Sequence, residues 1–324
     1  MNTLQNKILM ILFALGTTFW GCNTLIYDDL ADCPQGVYVR FYSMTPCAVD
    51  STFLGKISDL EVFAFDANDV LVTSVSLQDV VLNPDYQVLL PVSDGNYSFI
   101  AWLGVDNHFT QPYFIPGVTT KKDIAFNLTS ENKTARNLDD TRVWQGQSTT
   151  IFLPKPAESG SLFRHTAINL QEITNRVKVT VEFDASVENI TPQDLEVSLS
   201  SANGVINLDG TMPLDNQVLN YPIQRTTYTR NSVSWDFSIL DLAMGYHNTL
   251  KLTYPTTSQT IFNGDLIGSI LLNTIGANIN LSCENDFVVK FVIKDYCSSC
   301  QTHFTCMVYV NNWLVHSYTT ELGF

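Results

Sequence analysis

The chain has 324 residues, of which 45% are hydrophobic and 15% charged, and it carries a formal net charge of -15 at pH 7. A common domain has ~100–150 residues, so this length predicts two domains, each with enough apolar content for its own core. The surplus of 32 acidic over 17 basic residues repels phosphate backbones and anionic headgroups, and nucleic acid is not an expected partner.

At the start, Lys7 precedes an apolar run from Ile8 to Trp20 that ends at Gly21-Cys22. A basic start, a short apolar run and a small residue predict a secretory signal over residues 1–21. The run falls short of the ~20 apolar residues that a bilayer-spanning helix needs. Cleavage before a cysteine is the pattern of bacterial lipoproteins, and Cys22 is the expected lipid attachment point. Several acyl chains, each buried methylene contributing ~0.8 kcal/mol, make such an attachment durable. Residues 22–35 then form a lipidated tether.

Mature strands follow. Val37, Val39 and Phe41 alternate with Tyr38, Arg40 and Tyr42, which predicts a strand with one buried face. Cys33 and Cys47 flank this strand and pair if their loops curl back. Leu60 to Phe65 is apolar on both faces, as in a central strand covered on both sides. Asp66-Ala67-Asn68-Asp69 superficially suggests calcium, but Val70 and Leu71 stand where a calcium loop needs its glycine turn, so a hairpin turn is expected. Asp94-Gly95 is read as the turn of a hairpin between 87–92 and 97–103, and Asn203-Gly204 as the turn of another between 195–201 and 205–208. Asn311-Asn312 predicts a third hairpin, between 304–310 and 313–319. Further strands are expected over 177–183 and 286–294. No long helical stripe is present; Ser161 to Gln171 is the only moderately helix-tolerant stretch. Polar and proline-rich Pro154 to Gly160 marks the domain boundary, giving an N-terminal domain over 36–157 and a C-terminal one over 158–324. The expected class is all-β, two tandem antiparallel β-sandwich domains.

The six cysteines besides Cys22 lie in a compartment that permits disulfides. Cys283, Cys297, Cys300 and Cys306 invite a zinc reading. They bracket an extended segment, however, and ~46 Å of strand between Cys283 and Cys297 at ~3.3 Å per residue keeps four thiolates apart, so no metal is expected. Cys306 falls on the apolar face of the following strand. No nucleophile elbow, phosphate loop, His-Glu-x-x-His or dinucleotide fingerprint occurs. Neither a catalytic residue nor a cofactor is therefore expected, and an extracellular hydrolase is the least supported class.

The segment Cys22, Ile26-Tyr27-Asp28-Asp29-Leu30, Asp32-Cys33-Pro34-Gln35-Gly36 and Val37-Tyr38-Val39-Arg40-Phe41 resembles the N-terminus of the fimbrillin-A-associated anchor proteins, lipoprotein subunits of type V pili. Leu60 to Asp66, Asp94 to Gly104 and Thr174 to Val179 resemble further strands of that family. The likeness is clearest through about residue 183 and weaker in the C-terminal third. The resemblance implies two transthyretin-like sandwiches, lipidation at Cys22, residence in the outer membrane at the cell surface, and fimbrial shaft subunits as partners bound by strand complementation. The competing reading is a surface glycan-binding lipoprotein that presents Trp102, Trp144, Trp235 or Trp313 to sugar rings.

Overall fold

A computed structural model describes residues 33–105, 107–111, 113–187, 191–255, 259–272, 279–295 and 303–321. The signal segment, Cys22, most of the tether, Cys297 and Cys300 lie outside the described residues. The first part of the chain forms β1 (Gln35–Tyr42), β2 (Gly55–Phe65), β3 (Leu71–Leu82), β4 (Gln87–Pro91), β5 (Gly95–Leu103), β6 (Phe109–Thr110), β7 (Ala125–Leu128), β8 (Ser130–Glu131), β9 (Thr134–Ala135), β10 (Trp144–Gln147), β11 (Ile151–Leu153), β12 (Leu162–Asn169) and β13 (Gln171–Glu172). The second part adds β14 (Thr174–Phe183), β15 (Glu196–Ser201), β16 (Val205–Asn207), β17 (Leu219–Tyr221), β18 (Arg225–Tyr228), β19 (Ser232–Leu240), β20 (Thr249–Tyr254), β21 (Gln259–Asp265), β22 (Asp286–Asp295), β23 (His303–Val310) and β24 (Trp313–Glu321). The chain is all-β, as the period-two patterning predicts.

The first sandwich packs the sheet β12-β1-β4 on the sheet β13-β10-β5-β2-β3. Because side chains alternate along a strand, β2 sends Leu60, Val62 and Ala64 into a core with Val37, Val39 and Phe41, and sends Phe63 and Phe65 into a second core on its other face. β5 divides in the same way, with Phe99, Ala101 and Leu103 on one side and Ile100 and Trp102 on the other. The two-faced apolar pattern of residues 60–65 thus has its expected cause. The second core continues into the sheets β18-β19-β14-β22-β23-β24 and β21-β20-β15-β17-β9-β8. Fully buried Trp102 lies where the sandwiches meet, its ring 4.3 Å from Phe126 and its Nε1–H donating to the Leu208 carbonyl at 2.8 Å.

Pairing is mostly antiparallel, but β1 runs parallel to β12, β14 parallel to β22, and β17 parallel to β9 through a single residue pair. The 157/158 division expected from the sequence falls within the first sandwich, since β12 pairs with β1 and β13 with β10.

Several local expectations are corrected. β4 and β5 do not form a hairpin across Asp94-Gly95: β4 pairs with β1, while β5 pairs with β2, β10 and β11. Gly95, at φ 141°, carries the chain from one sheet to the other. Nor is Asn203-Gly204 a hairpin turn, because β15 pairs with β17 and β20 whereas β16 pairs with β7. Buried Asn203 instead pegs the layers together: its Nδ2 donates to the carbonyls of Leu240 and Asp241, both at 2.9 Å, and its Oδ1 accepts from the Tyr221 hydroxyl at 2.6 Å. The helix-tolerant stretch after Ser161 is strand β12. Its polar residues lie on an exposed sheet edge, where apolar alternation is not required.

Two expected turns are present. Asp66 Oδ1 accepts from the backbone N–H of Asn68 and of Val70, closing the turn between β2 and β3. At the β23–β24 hairpin, Asn311 and Asn312 hold φ of 45° and 73°, the positive pair that a two-residue turn with the strands' own twist requires.

Candidate functional site

Three features carry functional information: the entry to β1, the seam between the sandwiches, and the outer edge of the C-terminal sheet. At the entry, β1 begins with Gln35, whose buried Nε2 lies 3.1 Å from the Pro154 carbonyl, 3.1 Å from Ser159 Oγ and 3.3 Å from the Gly160 carbonyl. The strand is flanked on both sides, in register with β12 over its whole length and with β4 from Gly36 to Arg40. β1 is therefore an interior strand of its sheet.

The seam is closed covalently. Cys47, in the β1–β2 connection, forms a disulfide with Cys283, just ahead of β22, with a Cα–Cα distance of 5.8 Å and a sequence separation of 236. This overturns the Cys33–Cys47 pairing and also removes Cys283 from any zinc set, because a disulfide sulfur supplies no thiolate. Among the described residues, no group of three or more His, Cys, Asp or Glu side chains is arranged to hold a metal ion. Cys306 is buried on the inner face of β23, and desolvation pushes its thiol up to about 11.

Beside the disulfide, the Arg176 guanidinium bridges Glu172 and Asp286, with Nε to Asp286 Oδ1 at 2.6 Å and Nη1 on Glu172 Oε1. The hydrogen bond from Arg176 holds the Asp286 carboxyl below the usual carboxylate range against desolvation, with the charges of Arg176 and Arg142 adding to it. Asn285 Nδ2 reaches the Thr174 carbonyl at 3.0 Å and the Glu172 carbonyl at 3.3 Å. A cleft of about 320 Å³ opens next to this network, with Glu172, Asp241 and Asn285 among its polar walls and Met244 and Leu272 among its apolar ones. Burial raises the Asp241 carboxyl, although Asn175 offsets part of that effect.

At the far side of the C-terminal sheet, β24 pairs with β23 and with no other strand among the described residues. Its first two residues are open to solvent, Trp313 at 62% and Leu314 at 55%. Tyr318 fastens the strand to the layer beneath by donating to the Ile261 carbonyl at 2.8 Å. Backbone groups along such an edge are ready to accept another strand.

The four tryptophans do not form a common platform. Trp102 and Trp235 are buried, Trp144 is half-buried against the first core, and Trp313 alone of the four is exposed. A second cleft, about 530 Å³, is lined by Phe53, Asp59, Asp140, Arg142 and Trp144 among others. Its Asp59 carboxylate is already engaged by the backbone N–H groups of Gly104 and Val105 and by the Ser58 hydroxyl.

Comparison with known proteins follows the same lines. The family model of the fimbrillin-A associated anchor proteins Mfa1 and Mfa2 matches residues 30–319, so the likeness runs through the C-terminal third instead of fading after residue 183. The chain is 35% identical over 308 residues to the minor fimbrium anchoring subunit Mfa2 of Porphyromonas gingivalis, covering 94% of this chain and 93% of that one. The solved structure of the fimbrial anchor protein Mfa2 from the same organism superposes with a TM-score of 0.78 at 34% identity, covering 88% of this chain and all of that one. A Bacteroides thetaiotaomicron structure, described as a proposed polysaccharide-binding protein, shares the fold at a TM-score of 0.69 and 18% identity, over 89% and 98% of the two chains. With the fold, the length and the sequence all matched, this chain belongs to the family of fimbrillin-A associated anchor proteins.

Proposed function

We propose that this protein holds a fimbria to the outer membrane of a Gram-negative cell. Cys22 carries the lipid, residues 22–35 form the tether, β1 receives the pull, and the open edge of β24 pairs with a strand of a fimbrial shaft subunit. The observation that carries this reading is the 35% identity across 94% of the chain to an anchoring subunit. Its role is structural, with the membrane reached through lipid and the fibre through backbone hydrogen bonds. The glycan-binding alternative is weaker, because burial takes Trp102 and Trp235 out of reach of a sugar ring.

Lipidation is tested by substitution. Cys22→Ala should move the protein from the membrane fraction to a soluble one, since the multi-chain anchor is lost. Retention of the variant in outer membranes of cells lacking the shaft subunits would remove Cys22 as the attachment point.

A further inference from the structure

The Cys47–Cys283 disulfide does more than join two loops, because of where each half sits. Cys47 follows the end of β1 by five residues, and Cys283 precedes the start of β22 by three. Both strands are interior: β1 lies between β12 and β4, and β22 lies between β14 and β23. The short segments that connect them to the bridge are themselves fixed. Met44 exchanges hydrogen bonds with the Asn169 side chain at 2.8 and 2.9 Å, and Ser43 and Thr52 bond backbone to backbone. On the other side, the Cys283 N–H donates to the Asn280 carbonyl at 2.9 Å, the Arg176 N–H donates to the Asn285 carbonyl at 2.7 Å, and the Arg176 side chain grips Asp286.

We propose that this disulfide is a mechanical bypass, which passes tension from the N-terminal tether straight to the C-terminal sheet and leaves β2 to β21 outside the covalent load path. Without the bridge, a pull entering at β1 and leaving at β24 runs along every strand between them, and each becomes a place where the protein can yield. With the bridge, the load crosses from β1 to β22, two doubly flanked strands, through one covalent bond and then runs only through β23 to β24. The inference rests on the anchor reading for the two points at which load enters and leaves. An exported protein meets conditions in which such a bond persists.

Single-molecule pulling measures the bypass directly. The mature chain would be held by handles at residue 22 and at the C-terminus and stretched in oxidising buffer, in reductant, and as the Cys47→Ser/Cys283→Ser double variant. Oxidised protein should extend by no more than about 250 Å, the reach of the residues outside the bridge at ~3.6 Å each. Reductant or the double substitution should release about 850 Å more, from a 236-residue separation at ~3.6 Å per residue. Full extension of the oxidised chain, or no added extension on reduction, overturns the bypass.

Cells under graded shear then separate the two ideas. The double variant should shed fibres at lower flow than the native protein. If deleting the protein sheds fibres while the double variant holds them as firmly as the native chain, the bypass fails and the anchor stands. If deletion sheds none, the anchor reading fails.

Discussion

Trp102 joins the two sandwiches through its ring and its indole N–H together. Trp102→Ala should cost about 3–5 kcal/mol by opening a cavity between the layers, and Trp102→Phe should cost less while leaving the Leu208 carbonyl only the longer contact from Gln145 Nε2 at 3.4 Å. Denaturant unfolding of the two variants checks the order. Glu61 offers a test by pH. Its Oε2 has no hydrogen-bond partner among the described residues, and burial, helped by Asp59, raises its carboxyl above the usual range against the opposing effect of Gln111. A raised folded-state pKa means that the group's stability contribution is full below its unfolded value near 4.3 and is lost as pH rises through the folded value. Glu61→Gln should therefore stabilise the protein at pH 7 and give little gain at pH 4. An equal gain at both would place the effect in packing rather than ionisation.

Among the elements, the seam is held by one covalent bond that closes a very long loop. Replacing both members, Cys47→Ser/Cys283→Ser, should lower stability by about 2–5 kcal/mol, toward the upper end if loop entropy dominates; equilibrium unfolding with and without reductant measures it. An unchanged midpoint would show that the hydrogen bonds of Asn285 and Arg176 hold the seam unaided. This disulfide was not legible in the sequence. Cysteine spacing proposes neighbours such as Cys33 and Cys47, whereas the real partner lies 236 residues away and comes near only once both sandwiches have formed.

Individual strands were far easier to read than their partners. Val37-Val39-Phe41, Val177 to Phe183 and Phe287 to Ile293 each show period two because each has one face in a core. Asp94-Gly95 and Asn203-Gly204 looked like hairpin turns because the residues that reverse a chain also let it cross between sheets. Asn311-Asn312 differed only in outcome, since its two flanking strands happen to belong to one sheet. β12 was missed because an edge strand with exposed Phe163, Arg164 and His165 keeps too little apolar alternation to show.

For the whole molecule, function was legible mainly near the N-terminus of the chain. The cysteine after the expected signal and the Asp-Asp-Leu to Cys-Pro segment point to an anchor, and the family match spans residues 30–319. The proposed docking edge is not legible in the sequence because β24 is an outer strand only by the order of the sheet. Within the anchor account, lipid joins the fibre to the cell, while strand pairing joins subunits to one another.

Counting cell-bound and shed fibres by electron microscopy in a strain lacking this protein tests the account most directly. The account predicts intact fibres free in the medium and few on the cells, with native attachment restored by the full-length gene and not by Cys22→Ala. Fibres that remain attached in the deletion strain, with no second anchor gene present, would contradict it.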